Sequence, residues 1–274
     1  MGLGEIGATT YLWLAFWISH VIVLVLQVAF CICFFWLYFL WPNLMKKILN
    51  QLHSITTWVV MILNPFWHVR SHGSCCSGRF PHGTIIMANH LCYVDPWVIA
   101  KVGLPHGLHF ISMGKLFQMP VLGQVMRLSG HFPVWFVKDE NGKFRAKNNH
   151  ELQEGAKELL ARGGRICVFP EGSLSYDGKL KPFKYGFFKV AMESGARILP
   201  LGMWGNQKLF PPGDQYGTAH PGVVHVAVGD LVDPKSFESA EDLAQHVRNE
   251  IVRLRNGLPN YKEDDKYSVP EASL

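Results

Sequence analysis

The sequence predicts an α/β fold in which a largely parallel sheet is flanked by helices and preceded by a membrane helix. Two observations lead to this class. A long uncharged apolar segment lies near the N-terminus, and from about residue 80 short apolar runs alternate with longer helical patterns. The 274-residue chain then divides into a membrane anchor with an interfacial helix (1–70), an α/β domain (71–235), and a C-terminal helix with a disordered tail (236–274).

The N-terminal segment from residue 6 to residue 45 contains no Asp, Glu, Lys or Arg. A helix crosses a hydrocarbon core of about 30 Å in roughly 20 residues, so this segment is long enough to span a bilayer. Its surplus length fits one tilted span, or a hairpin that bends near Ser19 and His20. A cleaved signal peptide is the competing interpretation, but it requires a basic start and a much shorter apolar run.

The charges that flank the apolar segment predict its orientation. Glu5 precedes the segment and Lys46 and Lys47 follow it, and positive residues are retained on the cytosolic side of membranes. We therefore expect an integral membrane protein whose catalytic domain faces the cytosol, at the endoplasmic reticulum if the protein is eukaryotic. A second apolar stretch, 55–67, has only 13 residues and suits a helix that lies in the membrane interface.

Six strands and five helices are predicted after residue 80. The strands are 84–89, 108–112, 132–136, 165–169, 198–203 and 223–228, and the helices are 95–103, 115–128, 146–162, 184–195 and 238–256. Because strands and helices alternate, the sheet should be largely parallel. Ligands bind at the carboxyl ends of the strands in such sheets, so the residues that directly follow a strand are the candidates for a site.

Charge and cysteine content indicate which ligands to expect and argue against nucleic acid, disulfides and a metal site. The formal net charge is +5, and residues 101–200 hold 15 Lys or Arg against 8 Asp or Glu, which suits an anionic ligand or an anionic membrane surface. No known nucleic-acid-binding motif accompanies this charge, so we expect no nucleic-acid partner. The six cysteines form no paired C-x-x-C pattern, and we expect neither a disulfide framework nor a metal site.

The first candidate motif follows the predicted strand 84–89 and contains His90 and Asp95. On one helix these two side chains would point about 140° apart, so they can meet only across a turn. Pro96 favours such a turn, because proline is common at the first position of a helix and an aspartate before it is a natural N-cap. An imidazole oriented by a carboxylate can take the proton from an attacking hydroxyl. The alternative is a capping aspartate beside an incidental histidine.

The second candidate motif, Glu171-Gly172-Ser173, follows the predicted strand 165–169. A Glu-Gly-Ser turn exposes backbone N–H groups and a hydroxyl, which can hold a phosphate or an oxyanion. Glu171 can accept a hydrogen bond from a hydroxyl or order neighbouring donors. Alone, the segment is equally compatible with an ordinary exit from a strand.

Together these segments resemble the glycerolipid acyltransferase family of the 1-acyl-glycerol-3-phosphate acyltransferase type. The family has four ordered blocks, and the matching segments cover about residues 80–235 of this chain. In order, the segments are Asn89-His90 through Asp95, Gly130-His131-Phe132-Pro133-Val134, Phe169-Pro170-Glu171-Gly172-Ser173 and Ile198-Leu199-Pro200-Leu201.

The resemblance implies transfer of a fatty acyl group from acyl-CoA to the hydroxyl of a lysophospholipid, first of all 1-acyl-sn-glycerol-3-phosphate, to give phosphatidic acid. It implies that His90 is the general base and Asp95 its orienting partner, with acyl-CoA as co-substrate and no cofactor. The substrate-binding residues that it implies are Asn89, Lys115, Glu171, Gly172, Ser173 and Lys184. Lys115 could equally be a solvated lysine at a helix start.

Two positions depart from the family pattern. Members that take lysophosphatidic acid usually have arginines at the positions that correspond to Phe136 and Leu174. Without these guanidinium groups the site lacks bidentate phosphate contacts, and Lys138, Lys181 or Lys184 could supply only point charges. The acceptor could therefore also be glycerol 3-phosphate or another lysophospholipid.

Three rival functions remain open at this point. A transacylase would take its acyl group from another phospholipid, and the missing arginines are also compatible with a catalytically silent lipid-binding protein. A metal hydrolase built on His90 and Asp95 lacks a further ligand cluster of suitable spacing. A serine nucleophile is disfavoured because the sequence has no Gly-x-Ser-x-Gly elbow.

Overall fold

The computed structural model describes residues 2–73, 80–104, 106–138, 144–147, 149–211, 217–259 and 261. It confirms the predicted class, since an eight-stranded, mostly parallel sheet is flanked by helices. The strands are β1 (Trp67–His72), β2 (Thr84–Ala88), β3 (His109–Met113), β4 (Phe132–Lys138), β5 (Phe144–Lys147), β6 (Arg165–Val168), β7 (Arg197–Trp204) and β8 (Gly222–Val228).

The helices cover both faces of the sheet. They are α1 (Leu3–Cys33), α2 (Phe35–Leu40), α3 (Pro42–Leu63), α4 (Asp95–Gly103), α5 (Leu122–Leu128), α6 (Asn149–Ala161), α7 (Gly186–Ser194), α8 (Asn206–Leu209) and α9 (Ala240–Asn256). Short 3-10 turns cover Gly114–Gln118 and Pro234–Ser236.

The strand order of the sheet is β1-β8-β7-β2-β6-β3-β4-β5. Among the described pairings, β7–β8 and β4–β5 are antiparallel and the other five are parallel. The central strand β2 lies between β6 and β7, so the carboxyl ends of these three strands share one edge of the sheet. Both predicted motifs begin at that edge.

The central strands are apolar on both faces because helices bury both. Ile86 belongs to one core with residues of α1, α3 and α4, whereas Ile85 belongs to the opposite core with residues of α6, α7 and α9. This alternation is the two-residue period of a strand. Both side chains are 0% exposed, and burying each stabilises the fold by about 1.5–3 kcal/mol.

Helix α1 runs without a break from Leu3 to Cys33, so the hairpin bend near Ser19 and His20 is wrong. Both residues instead belong to the buried stripe by which α1 packs against the rest of the protein, and an intrahelical bond from Ser19 Oγ to Phe16 O (3.0 Å) satisfies the serine. The opposite face of α1 is apolar and exposed. By length and composition this helix could cross a membrane.

Two other expectations about the elements need correction. The predicted helix 115–128 is a 3-10 turn followed by the short helix α5, because Pro120 lies between them and cannot donate the backbone bond of a continuous helix. The predicted interfacial stretch 55–67 forms the second half of α3 and runs into β1.

The predicted domain limits fall within continuous structure. The limit at residue 71 lies inside β1, which pairs with β8. The C-terminal helix α9 contributes buried residues to the core beneath β2 and β7, so it packs as part of the α/β domain. The predicted disordered tail from residue 260 lies outside the described residues, except for Tyr261.

Candidate active site

The two predicted motifs lie side by side at the carboxyl edge of the sheet. Residues 89–95 follow β2 and residues 169–175 follow β6, and these strands are hydrogen-bonded neighbours. The two loops bond directly to each other. The backbone N–H of His90 donates to Glu171 Oε1 (2.8 Å), and the backbone N–H of Ser175 donates to His90 O (2.9 Å).

His90 and Asp95 form the hydrogen-bonded pair that their spacing predicts. His90 Nδ1–H donates to Asp95 Oδ2 at 2.8 Å, with the imidazole 19% exposed and the carboxylate 0% exposed. Because the carboxylate only accepts, Nδ1 carries the proton and Nε2 keeps its lone pair. No described residue makes a hydrogen bond to Nε2. The imidazole can therefore accept a proton at Nε2.

The turn that brings them together differs in one respect from the expected cap. Helix α4 begins at Asp95 and its N-cap is Val94, so the expectation that Asp95 caps this helix is wrong by one residue. Its carboxylate turns back instead and accepts from the backbone N–H groups of Leu91 (2.6 Å) and Cys92 (3.0 Å). These bonds close the 90–95 turn around the carboxylate.

Asp95 is a buried charge that is surrounded by donors. Its Oδ1 accepts from the Cys92 thiol (3.1 Å) and from the side-chain amide of Asn206. Burial, reinforced by the Asp95 charge, raises the pKa of the Cys92 thiol well above its usual value, so the thiol keeps its proton and donates. A buried carboxylate is tolerated when its oxygens are satisfied in this way.

The imidazole is also held by an aromatic ring. The rings of His90 and Phe169 are stacked, with centroids 4.0 Å apart and planes 14° apart. Phe169 is the first residue after β6. The carboxylate, the stacked ring and the backbone bonds to the neighbouring loop together fix the ring plane of His90.

Glu171 joins three loop segments through backbone groups. Its Oε1 accepts from His90 N, and its Oε2 accepts from the backbone N–H of Lys181 (2.8 Å). Burial raises the pKa of Glu171, while these two hydrogen bonds act in the opposite direction. Both carboxylate oxygens thus contact the protein, and Glu171 acts here as a brace between the loops.

The residues around Glu171 present an exposed polar surface. Gly172 has φ +72°, a left-handed conformation that glycine adopts without strain. The exposed Ser173 accepts a hydrogen bond from Lys181 Nζ (3.1 Å), which also donates to Leu174 O (2.5 Å). Lys184 is exposed, and its backbone N–H donates to Pro170 O (2.7 Å).

The other residues singled out from the sequence lie outside the contacts between these two loops. Asn89 is fully buried and exchanges two hydrogen bonds with the backbone of Met203 on β7, at 3.1 and 2.8 Å. Lys115 is exposed in the 3-10 turn that follows β3, at the same edge of the sheet. Phe136 is 39% exposed and Leu174 is buried, and neither can supply a positive charge. The side chain of Lys138 lies outside the described residues.

Sequence reasoning missed Asn206, Cys92 and the stacked Phe169. Asn206 follows β7 at the carboxyl edge of the sheet, where ligands are expected, but its side chain is not titratable and belongs to no motif.

The structure also contains a cavity of about 630 Å³ along β4 and α6, lined mainly by apolar residues between Phe132 and Val137. Among the described residues, no group of three or more His, Cys, Asp or Glu could hold a metal ion.

A histidine–carboxylate pair at the carboxyl edge of a parallel sheet, with no hydrogen bond from the described residues to the second imidazole nitrogen, is an arrangement that can activate a hydroxyl or a water. The family model described as Acyltransferase matches residues 49–204, which is more than half of the chain. The chain therefore belongs to the acyltransferase family, of the glycerolipid type that the sequence resembles.

Relatives with known names agree with this family. The chain is 26% identical over 199 residues to a chloroplastic 1-acyl-sn-glycerol-3-phosphate acyltransferase, BAT2, of Brassica napus, covering 73% of this chain and 54% of that protein. It is 30% identical over 168 residues to a 1-acyl-sn-glycerol-3-phosphate acyltransferase of Chlamydomonas reinhardtii, covering 61% and 47%. The chain thus spans about half the length of these relatives. Their names do not point to the endoplasmic reticulum, and that location stays a prediction.

A solved structure supports the fold over almost the whole chain. The 1-acyl-sn-glycerophosphate acyltransferase PlsC from Thermotoga maritima matches with a TM-score of 0.67 at 23% identity, covering 94% of this chain and 98% of that one. The N-terminal helices are therefore part of the shared architecture.

Proposed function

We propose that this protein transfers a fatty acyl group from acyl-CoA to the hydroxyl of 1-acyl-sn-glycerol-3-phosphate and so forms phosphatidic acid. The observation that carries the proposal is the 2.8 Å bond between His90 Nδ1 and the buried carboxylate of Asp95, which leaves Nε2 without a hydrogen bond from the described residues. Membership of the family and the printed names of the relatives support the type of reaction and the acceptor.

In the proposed mechanism His90 acts as a general base. Nε2 takes the proton of the acceptor hydroxyl while the hydroxyl oxygen attacks the thioester carbonyl of the acyl-CoA. When the tetrahedral intermediate collapses, the C–S bond breaks and the CoA sulfur receives the proton from the imidazolium. Asp95 stabilises the imidazolium, and no acyl-enzyme forms. General-base assistance of this kind contributes about 10² to 10⁴ in rate.

The acceptor phosphate would lie beside the loop that follows β6. Lys184 is exposed there, Ser173 offers a hydroxyl, and the ammonium group of Lys181 is within 3.1 Å of that hydroxyl. Ammonium groups bind phosphate as point charges, which gives weaker orientation than a bidentate guanidinium. Because Phe136 and Leu174 supply no guanidinium, a lysophospholipid with a different head group is the second candidate acceptor.

The packing of α1 supports a particular membrane placement, which is part of the proposal. Thr9 Oγ1 donates to Ala219 O (3.3 Å), and Gln27 Nε2 donates to Ser129 Oγ (2.9 Å). Contacts with the α/β domain therefore extend along about 27 Å of the helix. A helix perpendicular to the bilayer would draw the polar domain into the hydrocarbon, so α1 should lie along the membrane with its exposed apolar face immersed.

The test uses the purified full chain in detergent with one labelled donor at a time. Labelled acyl-CoA or labelled phosphatidylcholine is supplied as the sole donor with a panel of lysophospholipids and glycerol 3-phosphate, and products are identified by mass. We expect labelled phosphatidic acid from acyl-CoA. Product from phosphatidylcholine alone would indicate a transacylase, and another product head group would select the second candidate. Lipid binding without any product would contradict the proposal and favour a silent lipid-binding protein.

A further inference from the structure

We infer that Asn206 is a positioning residue of the active site, which fixes the orientation of the Asp95 carboxylate and through it the imidazole of His90. The inference rests on the proposed function, since it assigns Asn206 a role in that reaction. Asn206 is 0% exposed, it is the first residue of α8, and its Nδ2 donates to Asp95 Oδ1.

The donors around Asp95 divide into local and distant ones. Oδ2 accepts from His90, Leu91 and Cys92, all within five residues of Asp95 in the sequence. Oδ1 accepts from the Cys92 thiol and from Asn206, which is 111 residues away. Within the described part of the chain, Asn206 is thus the one donor that connects this carboxylate to the end of another strand, β7.

The turn after β7 determines where Asn206 lies. Gly205 has φ +99°, and a Cβ at this position would lie 2.5 Å from Val223 O, so a glycine is required. The backbone N–H of Gly205 is satisfied by Gln207 Oε1 at 2.9 Å. This sharp turn reverses the chain at the rim of the sheet and brings the next side chain, Asn206, against Asp95.

The side-chain amide of Asn206 has one clear task. Its Nδ2 bonds to Asp95, while its Oδ1 is buried and has no hydrogen-bond partner among the described residues. Rotating the amide by 180° would place this oxygen against the carboxylate, so the orientation is set by Asp95. An unpaired buried oxygen costs free energy. The fold tolerates that cost at the position where the amide contacts the dyad.

Loss of this amide should act on catalysis and leave substrate binding unchanged. Without it, Oδ1 keeps only the Cys92 thiol, which is a weak donor. The carboxylate is then held mainly through Oδ2, so it can tilt further about its Cβ–Cγ bond, and the imidazole loses part of its orientation. A hydrogen bond to a charged group is worth roughly a 10- to 100-fold change in an equilibrium or rate. We expect a fall of that size in kcat, with the KM values of both substrates unchanged.

The first experiment compares Asn206→Leu with a matched control, Asn50→Leu. Both substitutions replace a buried asparagine with leucine, but Asn50 lies on α3, donates to Leu108 O (3.0 Å) and Ser129 O (2.9 Å) and makes no hydrogen bond to Asp95. The expected result is a loss of kcat for Asn206→Leu alone, at comparable thermal stability of the two variants. Equal losses of kcat in both variants would mean that the buried amide of Asn206 has only a structural role, and would overturn the inference.

The second variant, Asn206→Asp, keeps the shape of the side chain and gives a readout that a structural role would not change. Like charge and burial raise the pKa of one of two adjacent carboxyl groups. At low pH the new carboxyl is protonated and can donate to Asp95 Oδ1 in place of the amide. As the pH rises it loses that proton, and two carboxylates repel each other. The ratio of variant to wild-type kcat should therefore fall as the pH rises, whereas the ratio for Asn206→Leu should be flat.

His90→Ala separates this inference from the function on which it rests. If His90→Ala retains full activity, the proposed mechanism itself fails. If His90→Ala is inactive but both Asn206 variants have wild-type kcat at every pH, the positioning role of Asn206 fails and the mechanism stands. Should Asn206→Leu not fold, the pH-dependent ratio of Asn206→Asp still decides the question.

Discussion

Two hydrogen-bonded pairs that contain a histidine have similar distances but differ in whether the imidazole can accept a proton. His90 bonds to Asp95 at 2.8 Å at the rim of the sheet, and His53 of α3 bonds to His131, directly before β4, at 3.1 Å. The first pair has a carboxylate and a partly exposed imidazole. The second has two imidazoles and lies between a helix and the sheet.

The hydrogen bonds of the second pair require both rings to be neutral. The backbone N–H of Phe110 donates to His131 Nδ1 (3.0 Å), so the proton of His131 is on Nε2 and is donated to His53 Nδ1. Burial is the main cause that lowers the pKa of His53 to about 3 and that of His131 well below its usual value. This pair links α3 to the sheet and cannot act as a base near neutral pH.

The comparison shows which chemical environment would let a histidine of this fold act as a base. An imidazole next to a carboxylate can hold the charge that it acquires, whereas an imidazole next to another imidazole, away from water, cannot. The sequence contains 13 histidines, and residue type alone does not separate these two environments.

The largest expected effect is that of His90→Ala. Removing the base should lower kcat by about 10² to 10⁴ while the variant remains folded, at a cost of about 1.5–3 kcal/mol for the lost hydrogen bond to Asp95. Product formation from labelled acyl-CoA and circular dichroism melting provide the two measurements. The matched substitution in the other pair, His53→Leu, should lower thermal stability and leave kcat near the wild-type value. Equal loss of activity in both variants would contradict the difference between the two pairs.

The next effect is that of Glu171→Gln, which tests the brace between the loops. Glu171 accepts from two backbone N–H groups, and an amide can accept only one of these bonds while its NH₂ opposes the other donor. Each bond to a charged acceptor is worth about 1.5–3 kcal/mol. We expect kcat to fall about 10- to 100-fold. Wild-type kcat in this variant would show that the loop contacts do not support catalysis.

The third effect concerns acid stability and the His53–His131 pair. The folded-state pKa of His53 is about 3, below the usual value near 6.5, so the unfolded chain binds protons that the folded one does not. The free energy of unfolding is highest above pH about 6.5, where His53 is neutral in both states. It decreases as the pH falls toward 3, and the loss due to His53 is about 2 kcal/mol at pH 5.

Denaturant unfolding at pH 5 and pH 8 measures this loss. In His53→Leu the difference between the two pH values should shrink by about 2 kcal/mol. Gly186→Ala removes no titratable group, so it serves as the control and should keep the wild-type difference. An unchanged difference in His53→Leu would show that this pair does not confer the acid sensitivity.

The smallest effect is that of Gly172→Ala in the loop beside Ser173. Gly172 has φ +72°, and an added Cβ would meet only Lys184 at 3.5 Å, an ordinary contact. The cost is therefore that of the left-handed backbone, about 1 kcal/mol. Gly186→Ala is the control, since Gly186 begins α7 with ordinary helical geometry. Thermal unfolding of both variants tests this, and equal stability would contradict the backbone explanation.

Much of the fold could be predicted because the central strands have clear patterns. The buried runs that became β2, β6 and β7 are apolar and bounded by turns, and the His90–Asp95 spacing with Pro96 indicates a turn. The edge strands β1 and β5 were missed, since both contain several polar or charged residues and resemble loops. Pro120 indicates a break in the predicted helix 115–128, but the helical periodicity of the flanking residues suggested one continuous helix.

The long-range contacts of the site could not be predicted. Asn206 meets Asp95 because β7 lies next to β2 in the sheet, and periodicity carries no information about strand order. For the same reason the bond from the backbone N–H of His90 to Glu171 was not foreseen. The candidate pair His90 and Asp95 was predicted from local spacing, whereas Asn206 and Glu171, which bond to it, follow the neighbouring strands β7 and β6.

The central claim is that a neutral His90, oriented by Asp95, takes the proton of the acceptor hydroxyl. The most direct measurement is kcat/KM for the acceptor in His90→Ala, in Asp95→Asn and in the double variant. We predict that Asp95→Asn alone lowers kcat/KM strongly, whereas adding it to His90→Ala lowers kcat/KM little further, because Asp95 acts through the imidazole. Wild-type kcat/KM in Asp95→Asn, or the same fold loss in both backgrounds, would contradict the account.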